Sequence, residues 1–117
     1  MKQRLLFNMA ERGVILTAMK SYIRNVKGPY KPLFEMTLNK VQQAQFPSLD
    51  GMEMICIVTA LTWRSGVFME MRKRTEQLLY LDLANRIDEI RYEFQYQNAP
   101  VIIKAERVGV PCTSMSV

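Results

Sequence analysis

Three consecutive cations, Arg72, Lys73 and Arg74, are the residues whose types and spacing are best suited to binding chemistry. On a helix, three adjacent side chains fan around most of the circumference, so some of them must face solvent. The positive end of the helix dipole lies at the helix start, so cations there are unfavourable unless a bound anion neutralises them. The cluster therefore indicates a surface for phosphate groups, and an ordinary solvated charge run is the alternative.

The order of the predicted elements around this cluster resembles a winged helix-turn-helix. A short helix, a tight turn at Arg64-Ser65-Gly66, a long central helix over about 67–90 and a C-terminal β-hairpin follow one another. In such a fold the recognition helix enters the major groove and the wing contacts the DNA backbone. This is an analogy of element order, without a motif match. The candidate nucleic-acid contacts are Arg72, Lys73, Arg74, Gln77, Lys104, Arg107, Lys20, Arg24 and Lys27.

The central helix is predicted from an apolar stripe that ends in a change of period. Leu83, Ile87, Ile90 and Phe94 recur at helical spacing. From residue 92 to 97, however, aromatic and polar residues alternate, which is typical of a strand. We therefore expect a hairpin of strands 92–97 and 101–108 around Asn98-Ala99-Pro100, and a helix that continues through Phe94 is the alternative.

The N-terminal third predicts two further helices. A first helix over 3–26 carries a four-three apolar seam in which Arg12 occupies one apolar position. Such a seam packs on another helix, in this chain or in a second copy. We expect a homodimer through Leu5, Met9, Leu16, Met19 and Ile23. Gly28 and Pro29 end this helix, and a second one runs from about Pro32 to Phe46.

The run from Met54 to Trp63 is apolar almost all round, so its period does not separate a buried helix from a buried strand. Its β-branched residues favour a strand. Asp50, followed three residues later by Glu53, has the spacing of a capping box and favours a helix. We predict a buried helix, with a strand as the alternative.

The length and composition of the chain predict one mainly α domain over 1–110 and a polar tail over 111–117. The chain has 117 residues and a net charge of +5, with the excess of cations in its first 47 residues. It has no histidine, and its two cysteines do not have metal-site spacing. No catalytic or phosphate-loop motif is present. We therefore expect a cytoplasmic, non-enzymatic protein without cofactor or metal, and no membrane span.

These observations favour a small nucleic-acid-binding regulator that acts as a dimer. The alternatives are a protein–protein adaptor or inhibitor that uses methionine-rich helical surfaces, and a structural subunit of a larger assembly. The position of Arg72, Lys73 and Arg74 in the fold distinguishes them. Unpaired cations gathered on one surface favour nucleic acid, whereas cations paired with Asp82, Glu89 or Glu93 favour the adaptor.

Overall fold

The computed structural model describes residues 2–26 and 28–98, which form a mainly helical fold with one small sheet. The helices are α1 (Met9–Asn25), α2 (Lys31–Gln43), α3 (Gly51–Glu70) and α4 (Arg74–Gln97). Strands β1 (Gln3–Arg4) and β2 (Ser48–Leu49) pair antiparallel, with Gln3 opposite Leu49. The prediction of a mainly α protein is confirmed.

Helix α1 begins at Met9, so the predicted start at residue 3 is wrong. Asn8 forms a capping box: its side-chain oxygen accepts from the amide of Glu11 at 2.7 Å, and the Glu11 carboxylate accepts from the amide of Asn8 at 3.0 Å. Before this cap the chain is extended, and the amide of Leu5 donates to the carbonyl of Pro47. Pairing with a distant segment therefore replaces the first turns of the predicted helix.

Helix α3 confirms that the apolar run is a buried helix, although it is longer than expected. Its capping box joins Asp50 and Glu53 as the sequence predicts. It also continues through Arg64-Ser65-Gly66, where we predicted a turn. Ser65 is buried there, and its hydroxyl donates to the carbonyl of Gln77 in α4 at 3.1 Å. A small polar residue at this position thus makes an interhelical contact and does not end the helix.

The turn between α3 and α4 lies instead at residues 71–73. The amide of Lys73 donates to the carbonyl of Phe68, and the amide of Arg72 donates to that of Met69. This pair of hydrogen bonds is a Schellman motif, in which the residue after the cap adopts the left-handed conformation. Arg72 does so with a φ of 59°. The central helix therefore begins at Arg74 and not at residue 67.

Helix α4 extends to Gln97, so the first strand of the predicted hairpin is wrong. Ile87 is buried, and Ile90 and Phe94 pack on the core along the same helical stripe. This packing favours the helix over the alternating pattern at 92–97. The second predicted strand, with Lys104 and Arg107, and the predicted tail at 111–117 lie outside the described residues.

The four helices run alternately up and down the bundle. Arg12 near the start of α1 donates to the last carbonyls of α2, and Ser21 near its end contacts Arg64 of α3. The core lies between the helices and is centred on α3, which contacts each of the other three. Its fully buried residues include Ile15, Met19, Ile57, Leu61 and Ile87.

Helices α3 and α4 form an antiparallel hairpin along nearly their whole length. Ser65 contacts Gln77 near the turn, and at the far end Gly51 lies so close to Gln95 that an added Cβ would come 2.6 Å from its amide nitrogen. A helix-turn-helix instead crosses at about 90–120°. In the described part of the chain, α3 and α4 therefore do not have that geometry.

One described helix, α3, has the length and composition of a possible membrane span. It has 20 residues, and its most apolar 18-residue window has a mean hydropathy of 1.2. Core helices of soluble proteins reach the same values, and 39% of this window is buried inside the fold. This observation is therefore weak evidence for a span.

Candidate nucleic-acid interface

One end of the bundle, here called the turn end, contains the α3–α4 turn, the last turns of α1 and the first turns of α2. Arg64 donates to the hydroxyl of Ser21 at 3.2 Å, which fixes the end of α1 against α3. Tyr22 forms a T-shaped contact with Trp63 and stacks on Phe34 of α2. Beyond Arg64, α3 continues to Glu70, about 9 Å further along its axis.

The turn end gathers cations from separate parts of the sequence. They are Lys20, Arg24, Lys31, Arg64, Arg72, Lys73 and Arg74. The carboxylates there are fewer: Glu35, Glu70 and Glu76. All of these cations except the half-buried Arg64 are exposed. Among residues 2–26 and 28–98, no ion pair involves any of them. The fold therefore leaves a net positive, solvated surface at this end.

The α3–α4 turn adds backbone polarity to these charges. Lys73 occupies the N-cap position of α4, and no side chain caps that helix. The partial positive charge of the helix N-terminus thus adds to the charges of Arg72, Lys73 and Arg74 at the start of α4. Such an arrangement raises the local positive potential and favours a bound anion.

The structure brings together most of the predicted nucleic-acid contacts that it describes. Arg72, Lys73, Arg74, Lys20 and Arg24 all lie at the turn end, although some fifty residues separate the two groups in sequence. Gln77 lies one turn into α4, is half-buried, and accepts a hydrogen bond from Ser65 through its carbonyl. The remaining predicted contacts, Lys27, Lys104 and Arg107, lie outside the described residues.

The residues of the predicted dimer seam lie mostly in or against the core of their own chain. Leu5 and Met19 are fully buried in the core of the same chain, and Leu16 and Ile23 are half-buried against it. Met9 alone of this set is well exposed, at 79%. Since Leu5 precedes α1, the spacing from Leu5 to Met9 does not describe one helix face. The seam therefore packs mainly inward.

Sequence reasoning missed Arg64 and the aromatic residues at the turn end. The guanidinium of Arg64 lies 4.8 Å from the ring centroid of Phe68, and its buried Nε has no hydrogen-bond partner among the described residues. Tyr22, Phe34 and Trp63 come from three different helices. Only the packing of the bundle brings them together, so no local pattern marks them.

The described residues include one buried cysteine, Cys56, which lies in the first half of α3. Burial raises the pKa of Cys56 to about 11, so this thiol is a poor nucleophile. No group of three histidine, cysteine or carboxylate side chains is placed to hold a metal in residues 2–26 and 28–98. No family model matches the chain, and neither a curated protein nor a solved structure shows significant similarity to it.

Proposed function

We propose that this chain is a small, non-enzymatic nucleic-acid-binding protein of the regulatory type, which contacts phosphates through the turn end. The observation that supports this proposal is the group of exposed cations from α1, α2 and the α3–α4 turn, which have no ion pair among the described residues. A polyanion is the natural partner of such a surface, because it neutralises several charges at once and releases its own counterions.

The three ion pairs of the described chain lie elsewhere, between Lys40 and Glu53, Arg86 and Glu11, and Arg91 and Asp88. None of them involves Asp82, Glu89 or Glu93, the carboxylates that the adaptor hypothesis expects to pair with the basic cluster. Arg72, Lys73 and Arg74 are exposed and make none of these ion pairs, so a phosphate that binds them does not have to displace a protein carboxylate. This contrast favours nucleic acid over a protein adaptor.

The mode of contact differs from that of a recognition helix. The cations lie on a tight turn and at the start of α4, not along one helix face. Such a tip reaches phosphates more readily than base edges, so we expect binding that depends weakly on sequence. The proposal needs neither a wing nor Lys104 and Arg107.

The salt dependence of affinity tests this proposal. For about four phosphate contacts on a duplex, the slope of log affinity against log salt should be near −3.6, and on a single strand it should be near −2.8. Replacing Arg72, Lys73 and Arg74 together with alanine should flatten the slope by up to about 2.7, since each lost phosphate contact removes about 0.9. Fluorescence anisotropy with a labelled oligonucleotide between about 50 and 200 mM salt measures both quantities.

A control variant separates local contacts from the loss of net charge. Arg4→Ala removes one exposed cation from the opposite end of the bundle. It should leave the slope unchanged, whereas Arg74→Ala should flatten it. The proposal is wrong if the wild-type protein binds no nucleic acid at low salt, or if the triple variant keeps the wild-type slope.

A second candidate function, self-association or protein binding, is favoured by a groove between α1 and α4 that combines apolar residues with the ion pair of Glu11 and Arg86. Leu79, Leu83 and Val14 line this groove, which has a volume of about 430 Å³. Two largely exposed apolar residues flank this groove in sequence: Met9 directly follows its lining residue Asn8, and Leu6 lies two positions before Asn8. We propose that a homodimer, if it forms, uses this face and not the buried Leu5 and Met19.

Sedimentation of Met9→Glu tests this dimer. The substitution adds a charge to the groove face and should yield monomers, whereas Met52→Glu, at an exposed methionine of α3, should leave the dimer intact. A wild-type protein that is monomeric at high micromolar concentration would contradict the homodimer and leave the nucleic-acid proposal standing.

A further inference from the structure

A small aromatic pocket opens at the turn end, between the end of α1 and the start of α2. Its volume is about 160 Å³, and its lining includes Tyr22, Tyr30, Lys31 and Phe34. A cavity of about 150 Å³ holds benzene. The pocket is therefore large enough for one flat heterocyclic ring and too small for a folded peptide element.

The inner wall of the pocket is held rigid by ring contacts. Tyr22 stacks on Phe34 with ring centroids 4.8 Å apart and planes 25° apart. Trp63, from a third helix, contacts Tyr22 in a T-shaped arrangement with ring centroids 5.7 Å apart. Phe34 is buried, which holds the stack in place. This wall of the pocket is therefore preorganised. Binding of a ring carries no entropy cost for ordering Tyr22 and Phe34.

The outer part of the pocket is exposed and cationic. Tyr30, at the N-cap position of α2, is 63% exposed. Lys31 follows it in the lining, and the exposed Lys20 and Arg24 lie on the last turns of α1 at the same end of the bundle. Exposed aromatic rings beside solvated cations are the combination that binds bases and phosphates of single-stranded nucleic acid.

We propose that this pocket takes one unstacked base of a single-stranded nucleic acid whose phosphates contact the cations of the turn end. This inference rests on the function proposed above and specifies its ligand as single-stranded. In a duplex the base faces are covered by their neighbours, and extruding one costs a few kcal/mol. A single strand offers the base without that cost, so the pocket discriminates in its favour.

The test compares two labelled oligonucleotides of equal length and equal phosphate number, oligo(dT) and a strand with abasic sites throughout its centre. The wild-type protein should bind oligo(dT) about tenfold more tightly, since one stacked base contributes this order of affinity. Tyr30→Ala should lower the affinity for oligo(dT) about tenfold and leave that for the abasic strand unchanged. Its salt slope should remain that of the wild type, because the phosphate contacts are kept.

Two further variants separate stacking from other effects. Tyr30→Phe keeps the aromatic face and should bind as the wild type does. Tyr92→Ala removes a tyrosine of similar exposure, 52%, from the second half of α4, and should have no effect. Because Tyr30 is exposed, Tyr30→Ala should unfold at the wild-type temperature, which circular dichroism verifies.

The outcomes distinguish the two proposals. If the protein binds both strands equally and Tyr30→Ala changes nothing, the base pocket is wrong and the phosphate-binding function remains. If a duplex of the same sequence binds more tightly than oligo(dT), the single-strand preference is wrong. If no oligonucleotide binds at low salt, the proposed function fails, and the base pocket fails with it.

Discussion

The two ends of the bundle use their charges differently. At one end, here called the capped end, lie the starts of α1 and α3, the end of α2 and the second half of α4. Both capping boxes are there, together with the described ion pairs. At the turn end neither α2 nor α4 has a side-chain cap. The ion-paired charges of the capped end therefore serve the fold, whereas the exposed cations of the turn end remain available to a ligand.

Glu53 shows how far the capped end commits its charges. Its carboxylate is 1% exposed, accepts from the amide of Asp50 and pairs with Lys40. Hydrogen bonding to Glu53 raises the pKa of Lys40 above its ordinary value of 10.5. A raised lysine pKa stabilises the fold at every pH below 10.5, and this stabilisation is lost as the pH rises through the folded-state pKa.

The largest expected difference between the ends comes from matched lysine substitutions. Lys40→Met leaves the buried Glu53 carboxylate without its cation and should lower the free energy of unfolding by about 3 kcal/mol. Lys73→Met, at the turn end, should change it by less than about 0.5 kcal/mol. Urea denaturation measures both values. Equal effects would remove the distinction between the two ends.

A smaller loss is expected at Arg12, which donates to the carbonyls of Val41 and Gln42 at the end of α2. Arg12→Met keeps the apolar stem but leaves these carbonyls without their charged donor, which should cost about 1.5 kcal/mol. Arg24→Met, an exposed arginine on the same helix, is the control and should be nearly neutral. The melting temperatures of the two variants should separate in that order.

At Arg72 a substitution should raise the free energy of unfolding and not lower it. Glycine adopts a positive φ without the steric penalty of a Cβ, so Arg72→Gly should raise the free energy of unfolding by about 0.5–1 kcal/mol. The same change removes a cation of the turn end and should flatten the salt slope of binding by about 0.7 for a single strand and about 0.9 for a duplex. Arg74→Ala should flatten the slope equally without stabilising the protein. A stabilised variant with wild-type binding would show that Arg72 makes no phosphate contact.

The smallest effect concerns Glu11. Hydrogen bonds from Arg86 and then from the amide of Asn8 hold the pKa of Glu11 below its ordinary value of 4.5. The lowered pKa stabilises the fold above pH 4.5, and this contribution is lost as the pH falls through the folded-state pKa. Glu11→Gln keeps an oxygen for the capping box and should cost about 0.5 kcal/mol at pH 7.

Measured at about pH 3, the Glu11→Gln variant should approach the wild type in stability. Glu35→Gln, at an exposed carboxylate of α2 with no ion pair in the described chain, controls for the loss of a negative charge and should leave the stability at pH 7 nearly unchanged. A constant difference between Glu11→Gln and the wild type from pH 7 to pH 3 would contradict the role of the charge.

Local signals predicted the elements whose ends are fixed locally. Asp50 and Glu53 mark the start of α3 because a capping box joins neighbouring residues. The α3–α4 turn was missed because it has Arg72 where a Schellman motif usually has glycine. The pattern at 92–97 was misleading because Phe94 packs on the core while Tyr92 stays exposed, a difference that the alternation of aromatics does not reveal.

The candidate site could be predicted only in part, because residues that are distant in sequence form it. The run Arg72-Lys73-Arg74 is visible in sequence, but its position at the same end of the bundle as Lys20 and Arg24 depends on the alternating directions of the helices. The aromatic pocket depends further on how Tyr22 of α1 meets Phe34 of α2. Contacts between distant segments carry no local periodicity, so the sequence predicted the charges and not the surface that they form.

The pairing of β1 with β2 has a consequence for the order of folding. It joins Gln3 to Leu49 and must close a long loop, whereas three residues suffice to connect α3 and α4. Local contacts form faster because their loop-closure entropy is smaller. The α3–α4 hairpin should thus organise first and the N-terminal strand should join last. In native-state hydrogen exchange, the amide of Leu5, bonded to Pro47, should then exchange through smaller openings than that of Ile57 in the centre of α3.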